Sequence, residues 1–335
     1  MTRAGAAVAV RAVGHALPEA SVRLDALPAL AEPAGDRERT LRGLGIETVR
    51  VAEGTDATEL AERAAREALR RGGIDGPELG GLIVVEQRAP GKLLSSEVTR
   101  LQRLLGAERA LAFSVGGLGC VSVTPALLAA RGLLAADPDL RDVLVVHGST
   151  PASPYRYRHP VTVNGDGGQA LLVSRSGALR VLDIAQETNG AYWDLFHVDY
   201  RDRPSAEWRE ECADLPGYSF RLAVETRDRL TAMLRTLLER NGMTPADVRG
   251  YVSQNLSAGG HAFTEEVLGI ELLGVCRENL RRYGHLGPND VFLNLHTALE
   301  RGEFTEGDRV VVINVSPVAA WSLLLIETRP REAMA

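Results

Sequence analysis

The chain has 335 residues, of which 45% are hydrophobic and 24% are charged, a balance typical of a globular protein that buries a large core. Its formal net charge of -6 provides no basic excess to meet phosphates, which argues against nucleic acid as the main partner. The cysteines stand far apart without a CxxC pair, so neither a zinc site nor a disulfide framework is indicated.

The first residues lead directly into a strand-like run, with no long apolar core followed by a cleavage site. No uncharged apolar stretch reaches the roughly 20 residues that span a membrane. Unpaired cysteines also fit a reducing compartment. We therefore expect a cytoplasmic protein that does not bind membranes.

Strand-like and helix-like patterns alternate along the chain. Short uninterrupted apolar runs predict buried strands, and apolar residues at helical spacing between charges predict helices. The predicted elements are, in chain order, a strand at 8–13, a helix at 56–71, a strand at 82–85, a helix at 95–105, strands at 142–146 and 169–173, a helix at 218–241, a strand at 248–252, a helix at 290–301, and strands at 310–313 and 321–326. This alternation predicts a parallel-rich sheet with helices on both faces. The similar order in segments 1–175 and 176–335 indicates a duplicated α/β fold.

Cys120 lies where a strand-like run ends in a glycine-rich turn and an alanine-rich helix begins. Pro125 falls in the first turns of that helix, where its missing N–H costs little. Unpaired backbone N–H groups and the positive end of the helix dipole both favour the thiolate, so the junction indicates a nucleophile. The alternative is a buried structural cysteine.

Several segments are similar, in order and spacing, to the ketosynthase III branch of the thiolase superfamily over nearly the whole chain. They are the first strand and turn at 10–19, the segment LGIETVRVA at 44–52, the helix, turn and strand at 61–85, Gly119 and Cys120 at the position of the acyl-accepting cysteine, and NGDGGQA at 164–170. The resemblance implies a homodimer and a five-layered, thiolase-like α/β fold of two duplicated halves with mixed, mostly parallel sheets. The half at 1–175 carries Cys120, and the half at 176–335 carries His285 and Asp290.

Two turns depart from the pattern of a decarboxylating ketosynthase III. The family's histidine lies in a PHQAN turn, whereas the corresponding segment here reads YVSQNL, with Ser253 at or near the histidine position and Asn255 after it. The family's asparagine lies in a GNTSAAS turn, whereas the segment YGHLGPND places His285 at that position. In the family, these two residues donate hydrogen bonds that stabilise the enolate of malonyl carrier protein. The exchange predicts poor enolate stabilisation, and it leaves Ser253 and Asn255 as secondary active-site candidates.

The pattern Gly-His-x-Gly-x-x-Asp, from Gly284 to Asp290, resembles the acyltransferase offshoot of the family. Members of that offshoot move acyl groups onto sugar hydroxyls or carrier proteins in antibiotic biosynthesis. The resemblance implies that Cys120 is the nucleophile, His285 the base and Asp290 the group that orients the base. Asp290 also fits a simple cap or first-turn acid of a helix. We interpret the remaining histidines as core or surface residues and expect no metal site.

The family's oxyanion hole also differs here. Its glycine triplet before a tryptophan is replaced by the segment 314–321, in which Pro317 has no N–H to donate. The expected oxyanion-hole donors are then the backbone N–H of Cys120 and that of Val318 or Ser316.

The resemblance implies a thioester donor, either acyl-CoA or a phosphopantetheinyl acyl carrier protein, and no tightly bound cofactor. Carrier proteins are acidic, so arginines near the tunnel mouth are candidates for donor binding, although arginine is also common throughout the chain. These candidates are Arg156, Arg158 and Arg209, with Arg201 and Arg203 beside them. The long insertion at 191–216 either lines an acceptor pocket or packs down on itself with its aromatic residues, which are Trp193, Phe196 and Trp208.

Three functions remain as alternatives. The leading expectation is an acyltransferase of polyketide or antibiotic biosynthesis, which loads an acyl group on Cys120 and passes it to an alcohol or a carrier-protein thiol without forming a carbon–carbon bond. The second is a true condensing or starter-loading 3-oxoacyl synthase III, which the overall resemblance supports and Ser253 and His285 oppose. The third is a non-catalytic partner subunit of an active ketosynthase, which the intact Cys120 opposes.

Overall fold

The computed structural model of the protein describes residues 8–27 and 35–329. Within these residues the strands are β1 (Val8–Ala16), β2 (Ser21–Arg23), β3 (Thr48–Arg50), β4 (Gly81–Val85), β5 (Leu111–Val115), β6 (Val143–Ser149), β7 (Tyr157–Arg158), β8 (Thr162–Val163), β9 (Gly167–Ser174), β10 (Leu179–Thr188), β11 (Phe196–His197), β12 (Glu211–Cys212), β13 (Gly250–Ser253), β14 (Arg309–Ser316) and β15 (Ala320–Thr328). The α-helices are α1 (Asp36–Arg42), α2 (Ala57–Gly72), α3 (Glu97–Leu105), α4 (Val123–Ala136), α5 (Ala223–Arg240), α6 (Ala258–Leu268), α7 (Gly274–Tyr283) and α8 (Asp290–Glu300). Residues 1–7, on which part of the cytoplasmic prediction rests, lie outside this description.

Within the described ranges, nine strands hydrogen-bond into one sheet, in the order β13-β14-β15-β10-β1-β9-β6-β4-β5. Parallel pairs lie toward its two ends, between β13 and β14 and between β4 and each of β5 and β6. The pairs between these ends are antiparallel. The predicted mixed α/β sheet is confirmed, but its centre is more antiparallel than the apolar runs indicated. Strands buried on both faces are apolar throughout in either direction, so their composition does not report direction.

The two halves of the sheet share a central layer of helices. Ile83 of β4 and Val312 of β14 face the same buried cluster as Leu127 of α4 and Phe292 of α8. Leu82 points the opposite way, into a second cluster with α2 and α3, because alternate residues of a strand face opposite sides. A third cluster packs α5 on the outer face of the C-terminal half. The two ends of the sheet therefore share a central layer of helices and carry further helices on their outer sides, which agrees with the layered fold that the resemblance implies.

The first strands of the two halves, β1 and β10, pair with each other at the centre of the sheet. In each half the last strand lies beside the first, since β9 pairs with β1 and β15 pairs with β10. The chain passes from β9 to β10 between Ser174 and Leu179. The division into units 1–175 and 176–335 stays a prediction.

The central helix α4 is strongly apolar. Together with the turn before it, α4 forms the one helical run in the described part of the chain, Gly119–Ala136, that is long and apolar enough to match a membrane span. Half of that run, 50%, is buried inside the fold. A helix packed between two sheet halves meets apolar neighbours on most sides, so we interpret this run as a core helix.

Candidate active site

Cys120 lies in the short 3-10 turn Gly119–Ser122 that joins β5 to α4, and it is 4% exposed. Gly119 has a φ of +54°, and a Cβ placed on it would lie 2.6 Å from Ser316 Oγ. Asn314 Nδ2 donates a hydrogen bond of 2.7 Å to the Cys120 carbonyl. The end of β14 therefore packs against the nucleophile turn and hydrogen-bonds to it. Glycine at 119 permits both the left-handed backbone and the close approach of Ser316.

Cys120, His285 and Asp290 form one hydrogen-bonded line. Cys120 Sγ lies 3.1 Å from His285 Nε2, and His285 Nδ1 lies 2.6 Å from Asp290 Oδ2. His285 and Asp290 are fully buried, and His285 is 165 residues away from Cys120 in sequence. The structure thus brings together the three residues that the sequence singled out, in the order thiol, imidazole, carboxylate.

Asp290 is the first residue of α8, yet its carboxylate holds the neighbouring loops rather than the amides of its own helix. Oδ2 accepts the backbone N–H of Asn255 at 2.8 Å, and Oδ1 accepts the backbone N–H of Leu286 at 2.8 Å. These bonds fix the carboxylate so that Oδ2 also meets His285 Nδ1. The geometry supports an orienting group over a simple first-turn acid, and the catalytic role itself stays a prediction.

The charge state of the buried pair follows from its surroundings. Burial alone lowers the pKa of an imidazole, but Cys120 and Asp290 outweigh it and raise the pKa of His285 to about 9. Burial alone raises the pKa of a thiol, but His285, Arg158 and Arg88 outweigh it and lower the pKa of Cys120. Both shifts favour the thiolate–imidazolium form of the pair, and the thiolate is the nucleophilic form of cysteine.

The end of β13 and the turn after it carry the two secondary candidates, Ser253 and Asn255. Asn294 Nδ2, on α8, donates to the Ser253 carbonyl at 2.7 Å and to Asn255 Oδ1 at 2.8 Å. The Asn255 side chain is buried, and its Nδ2 forms no hydrogen bond with the residues that the structure describes. The turn is therefore rigidly held and offers one unused amide donor. Catalytic roles for these two residues stay predictions.

A cavity of about 400 Å³ lies between α5, α6 and the ends of β13 and β14. Ser253, Ser316 and Pro317 are among its lining residues. Because Ser316 also lies against Gly119, the cavity ends close to the nucleophile turn. Its volume is in the range that holds a small ligand or the arm of a larger one.

The predicted oxyanion-hole segment forms the turn between β14 and β15. Ser316 pairs with Ala320, and Ala319 between them has a φ of +52°. Val318 lies in this turn, one residue after Pro317. This turn begins just after Ser316, the residue that lies against Gly119. The assignment of the Cys120 and Val318 backbone amides as oxyanion-hole donors stays a prediction.

The three arginines predicted for donor binding do not form one exposed patch. Arg156 makes two bonds to Asp166, of 2.8 and 3.0 Å, and its side chain is 12% exposed. Arg158 is equally buried and paired with Glu210. Arg209 stacks on the ring of Tyr155, 4.0 Å from its centre. Of these three arginines, Arg158 is the one whose charge lowers the pKa of Cys120. A role of any of them in donor binding stays a prediction.

The insertion carries its aromatic residues in different surroundings. Trp193 is 76% exposed, whereas Phe196 packs edge-on against Tyr218 with ring centres 5.3 Å apart. Trp208 Nε1 donates to the carbonyl of Arg203 at 2.9 Å. Phe196 and Trp208 thus pack the insertion down, and Trp193 is left facing outward. Arg201 and Arg203 are exposed on the same insertion.

The sequence analysis proposed no site role for Arg88, Asn164 or Glu210, which lie near the triad. Arg88 Nη1 donates to Ser149 Oγ at 3.0 Å, and Asn164 Nδ2 donates to Glu210 Oε1 at 3.3 Å. Arg88 follows the carboxyl end of the buried parallel strand β4, which is a recognisable position for a site residue. Glu210 comes from the irregular insertion and carries no such signal.

The other histidines lie outside the line of the triad. Burial lowers the pKa of His147 to about 4 and that of His15 to about 3, so both are neutral at pH 7. Among the residues that the structure describes, no group of three or more His, Cys, Asp or Glu side chains is placed to hold a metal ion.

Comparison with known proteins agrees with this fold. The C-terminal family model of 3-oxoacyl-[acyl-carrier-protein] synthase III matches residues 238–328. The beta-ketoacyl-[acyl-carrier-protein] synthase III of Cereibacter sphaeroides is 28% identical over 327 residues, which cover 95% of this chain and 98% of that protein. The enzyme of the same name from Aquifex aeolicus is 25% identical, with 84% and 87% covered.

Solved structures are similar over nearly the whole length. The acyltransferase ChlB3 gives a TM-score of 0.81 at 23% identity, with 96% of this chain and 98% of that chain covered. The 3-oxoacyl-[acyl-carrier-protein] synthase III of Aquifex aeolicus gives 0.78 at 22% identity, with 96% and 99% covered. These similarities define a protein of the thiolase-like fold. The full-length relatives, together with the matched C-terminal family model, make the chain similar to 3-oxoacyl-[acyl-carrier-protein] synthase III.

Proposed function

We propose that the protein is a ketosynthase III-like acyltransferase of polyketide or antibiotic biosynthesis that works through an acyl-Cys120 thioester. The observation that carries the proposal is the line from Cys120 Sγ through both ring nitrogens of His285 to Asp290. One imidazole nitrogen contacts the thiol, and a carboxylate binds the other nitrogen. A base that takes up a proton and later returns it requires this arrangement. The fold shared with the acyltransferase ChlB3 is consistent with this function.

In the first half-reaction the Cys120 thiolate attacks the carbonyl carbon of a thioester, supplied by acyl-CoA or by a phosphopantetheinyl acyl carrier protein. The carbonyl oxygen becomes an oxyanion, for which the amides of Cys120 and Val318 are the proposed donors. The bond between carbon and the leaving sulfur then breaks, and His285 Nε2 gives its proton to that sulfur. The donor leaves as a free thiol, and a neutral imidazole stays beside acyl-Cys120.

In the second half-reaction an acceptor hydroxyl, of a sugar or a polyketide alcohol, or a carrier-protein thiol gives its proton to His285 Nε2. The acceptor oxygen or sulfur attacks the acyl carbon, and the Cys120 sulfur leaves as the thiolate. Asp290 holds Nδ1–H throughout, so Nε2 remains the nitrogen that exchanges protons. The cycle ends at the thiolate–imidazolium pair from which it began, with no carbon dioxide released.

A condensing or starter-loading 3-oxoacyl synthase III is the second candidate, and the names of the full-length relatives favour it. Decarboxylation of malonyl carrier protein requires hydrogen-bond donors on the thioester oxygen. Residues 253–255, at the end of β13, offer the Ser253 hydroxyl and the side-chain amides of Gln254 and Asn255 for this purpose, and no imidazole. A non-catalytic partner subunit is the third candidate, and the contact between the Cys120 sulfur and His285 Nε2 argues against it.

Acylation of the protein tests this proposal. Purified protein is exposed to a panel of acyl-CoA thioesters and weighed intact by mass spectrometry, beside Cys120→Ala and Cys212→Ala. Cys212 is a more exposed free cysteine outside the triad, so its variant should acylate as the wild type does. An adduct that is absent only from Cys120→Ala is expected. Adducts in Cys120→Ala, or none in any protein, would contradict the proposal.

The resemblance also implies a cytoplasmic homodimer, which we propose as the working form. β5 is one of the two edge strands of the sheet, and its Leu111 is 56% exposed. An exposed edge strand with apolar residues is stabilised when a second strand covers it, and a second copy of this chain supplies one. Light scattering coupled to gel filtration should give twice the monomer mass, and a monomer would contradict the dimer.

A further inference from the structure

His261 has a buried ring nitrogen that no hydrogen bond uses. The residue lies in the first turns of α6 and is 2% exposed. Its Nε2 lies 2.8 Å from the carbonyl oxygen of Gln254, and a carbonyl oxygen only accepts, so Nε2 carries the proton and donates it. Nδ1 is then the unprotonated nitrogen, and it forms no hydrogen bond with the residues that the structure describes. The ring therefore has one unused acceptor.

The imidazole of His261 is neutral in this position. Burial, the largest influence, lowers the pKa of His261. At pH 7 the ring therefore does not take a second proton on Nδ1. A buried acceptor without a partner is costly unless water or a ligand donates to it. The unpaired nitrogen is the observation that points to a ligand.

His261 also lines the cavity of about 400 Å³ that ends close to the nucleophile turn. Gln254 Oε1 accepts the backbone N–H of Val315 at 2.7 Å, so hydrogen bonds connect His261 through Gln254 to the end of β14. The next residue of that strand, Ser316, lines the cavity and lies against Gly119. The unused nitrogen thus belongs to a wall that is fixed relative to the nucleophile turn.

The cavity is polar but has no formal charge on its walls. None of the described residues that line it is Asp, Glu, Lys or Arg. Its hydroxyl groups include those of Ser219, Thr226, Ser253, Ser257, Thr264 and Ser316. A hydroxyl group both donates and accepts, so these walls match a neutral ligand rich in hydroxyl groups better than an ion or a bare acyl chain.

We propose that His261 Nδ1 accepts a hydrogen bond from a hydroxyl group of the acceptor alcohol other than the one that becomes acylated. The inference rests on the proposed acyl transfer through Cys120 and narrows its acceptor. A hydroxyl has one proton, and the reacting hydroxyl gives that proton to His285, so a second hydroxyl must serve His261. The acceptor is then a neutral polyhydroxy compound, such as a sugar pyranoside, rather than a simple alcohol or a carrier-protein thiol, whose S–H is a weak donor.

Two substitutions separate the roles of the two ring nitrogens. Asparagine has an oxygen attached to Cγ, as Nδ1 is in histidine, so His261→Asn keeps an acceptor there and removes the N–H that bonds Gln254. Glutamine has an amide nitrogen at the ε2 position, so His261→Gln keeps that N–H and removes the acceptor. Recognition through Nδ1 predicts that the asparagine variant binds the ligand and the glutamine variant does not. A role only in holding Gln254 predicts the reverse.

The first test needs no acyl donor. A panel of methyl hexopyranosides and their monodeoxy analogues is titrated against alkylation of Cys120 by iodoacetamide, and the protection gives a dissociation constant. Removal of one hydroxyl should weaken protection by about tenfold or more in the wild type and in His261→Asn, because the buried acceptor is left unpaired. In His261→Gln that analogue and its parent should bind equally. His197→Gln, at an exposed position, is the matched control and should behave as the wild type.

The second test follows the acyl group. Protein loaded on Cys120 from an acyl-CoA is discharged by the same sugars, and intact mass gives the rate. His261→Gln should acylate at the wild-type rate but discharge at least about tenfold more slowly. Slower acylation with unchanged discharge would show that the donor arm uses Nδ1, and it would overturn the inference. The alkylation rate of Cys120 without sugar shows whether each variant is folded.

Three further results would overturn the inference. They are no protection by any sugar in the wild type, equal protection by every sugar and its deoxy analogues, and loss of protection in His261→Asn rather than in His261→Gln. The proposed function can fail separately. Protection that depends on Nδ1, without acylation by any thioester, would support the binding site and overturn the acyl transfer. Acylation and discharge to alcohols, without protection by sugars, would do the opposite.

Discussion

Asp290 Oδ2 lies 2.6 Å from His285 Nδ1, and the same oxygen accepts the backbone N–H of Asn255. One carboxylate therefore orients the imidazole and also holds the turn that follows β13. Both loops meet at a single buried charge. The position of the imidazole relative to Cys120 therefore depends on that charge.

Replacing Asp290 with asparagine should weaken the thiolate. An amide retains the shape but brings an N–H toward groups that are themselves donors, and it removes the charge that raises the pKa of His285. The apparent pKa of Cys120 should rise, and acylation at pH 7 should fall by about a hundredfold or more. Iodoacetamide alkylation against pH measures the first effect. Asp247→Asn, in an exposed turn, should leave the profile unchanged, and an unchanged profile in Asp290→Asn would exclude the orienting role.

Replacing Gly119 with alanine should displace the nucleophile turn. The residue has a φ of +54°, and the new methyl group would meet Ser316 Oγ at 2.6 Å. Gly106→Ala is a matched control, because Gly106 has a φ of +66° with nothing within 4 Å of its Cβ position. Both variants should lose about 1 kcal/mol of unfolding free energy from the left-handed backbone. Only Gly119→Ala should acylate more slowly than the wild type, by at least about tenfold. Equal acylation rates in the two variants would contradict the view that Ser316 fixes the nucleophile turn.

Acidification should destabilise the fold between pH 7 and 5. His15 and His147 have their pKa values lowered, mainly by burial, to about 3 and about 4. The unfolded chain binds a proton at each near pH 6.5, whereas the folded chain does not until much lower pH. The free energy of unfolding therefore falls as pH falls, by up to about 1.4 kcal/mol per pH unit for each imidazole.

Urea unfolding at several pH values measures this dependence. His15→Gln should reduce the slope by about one proton. A slope unaffected by His15→Gln would mean that this imidazole is protonated in the folded protein.

Removing the Ser253 hydroxyl should have little effect on acylation. Ser253 is held through its backbone carbonyl, which accepts from Asn294 at 2.7 Å, and its side chain is not part of the line from Cys120 to Asp290. Ser253→Ala should therefore acylate within about threefold of the wild type, about 0.6 kcal/mol in barrier height. A loss of a hundredfold, measured by the same intact-mass assay, would show that the hydroxyl takes part in acylation.

The fold was largely predictable where burial on both faces makes a strand uniformly apolar, as in β4 and β14. β10 was not predicted, because Arg180, Asp183 and Gln186 interrupt its apolar residues, and most of the strand is only partly buried. α6 was also missed, since the pair Gly259 and Gly260 in its first turn is unusual for a helix interior. Such elements form because the neighbouring strands and helices supply their contacts.

The triad could be proposed from sequence because each member lies in a recognisable local motif. The group of Arg88, Arg158 and Glu210 could not, because its members come from three separate segments and meet only in the folded chain. Arg158 was noted as a basic residue, but its pairing with Glu210, 52 residues away, reverses the expectation of an exposed patch. Contacts of this kind depend on the packing of the insertion, which has no periodic pattern.

Discharge of the acylated protein tests the central claim most directly. Cys120 is loaded from an acyl-CoA, excess donor is removed, and the acyl-enzyme is divided between a glycosylated polyketide alcohol and malonyl carrier protein. Intact mass follows loss of the acyl group, and released carbon dioxide is measured in parallel. The acyltransferase account predicts discharge to the alcohol, with the acyl ester as product and no carbon dioxide. Discharge only by malonyl carrier protein, with carbon dioxide released, would contradict it and establish condensation.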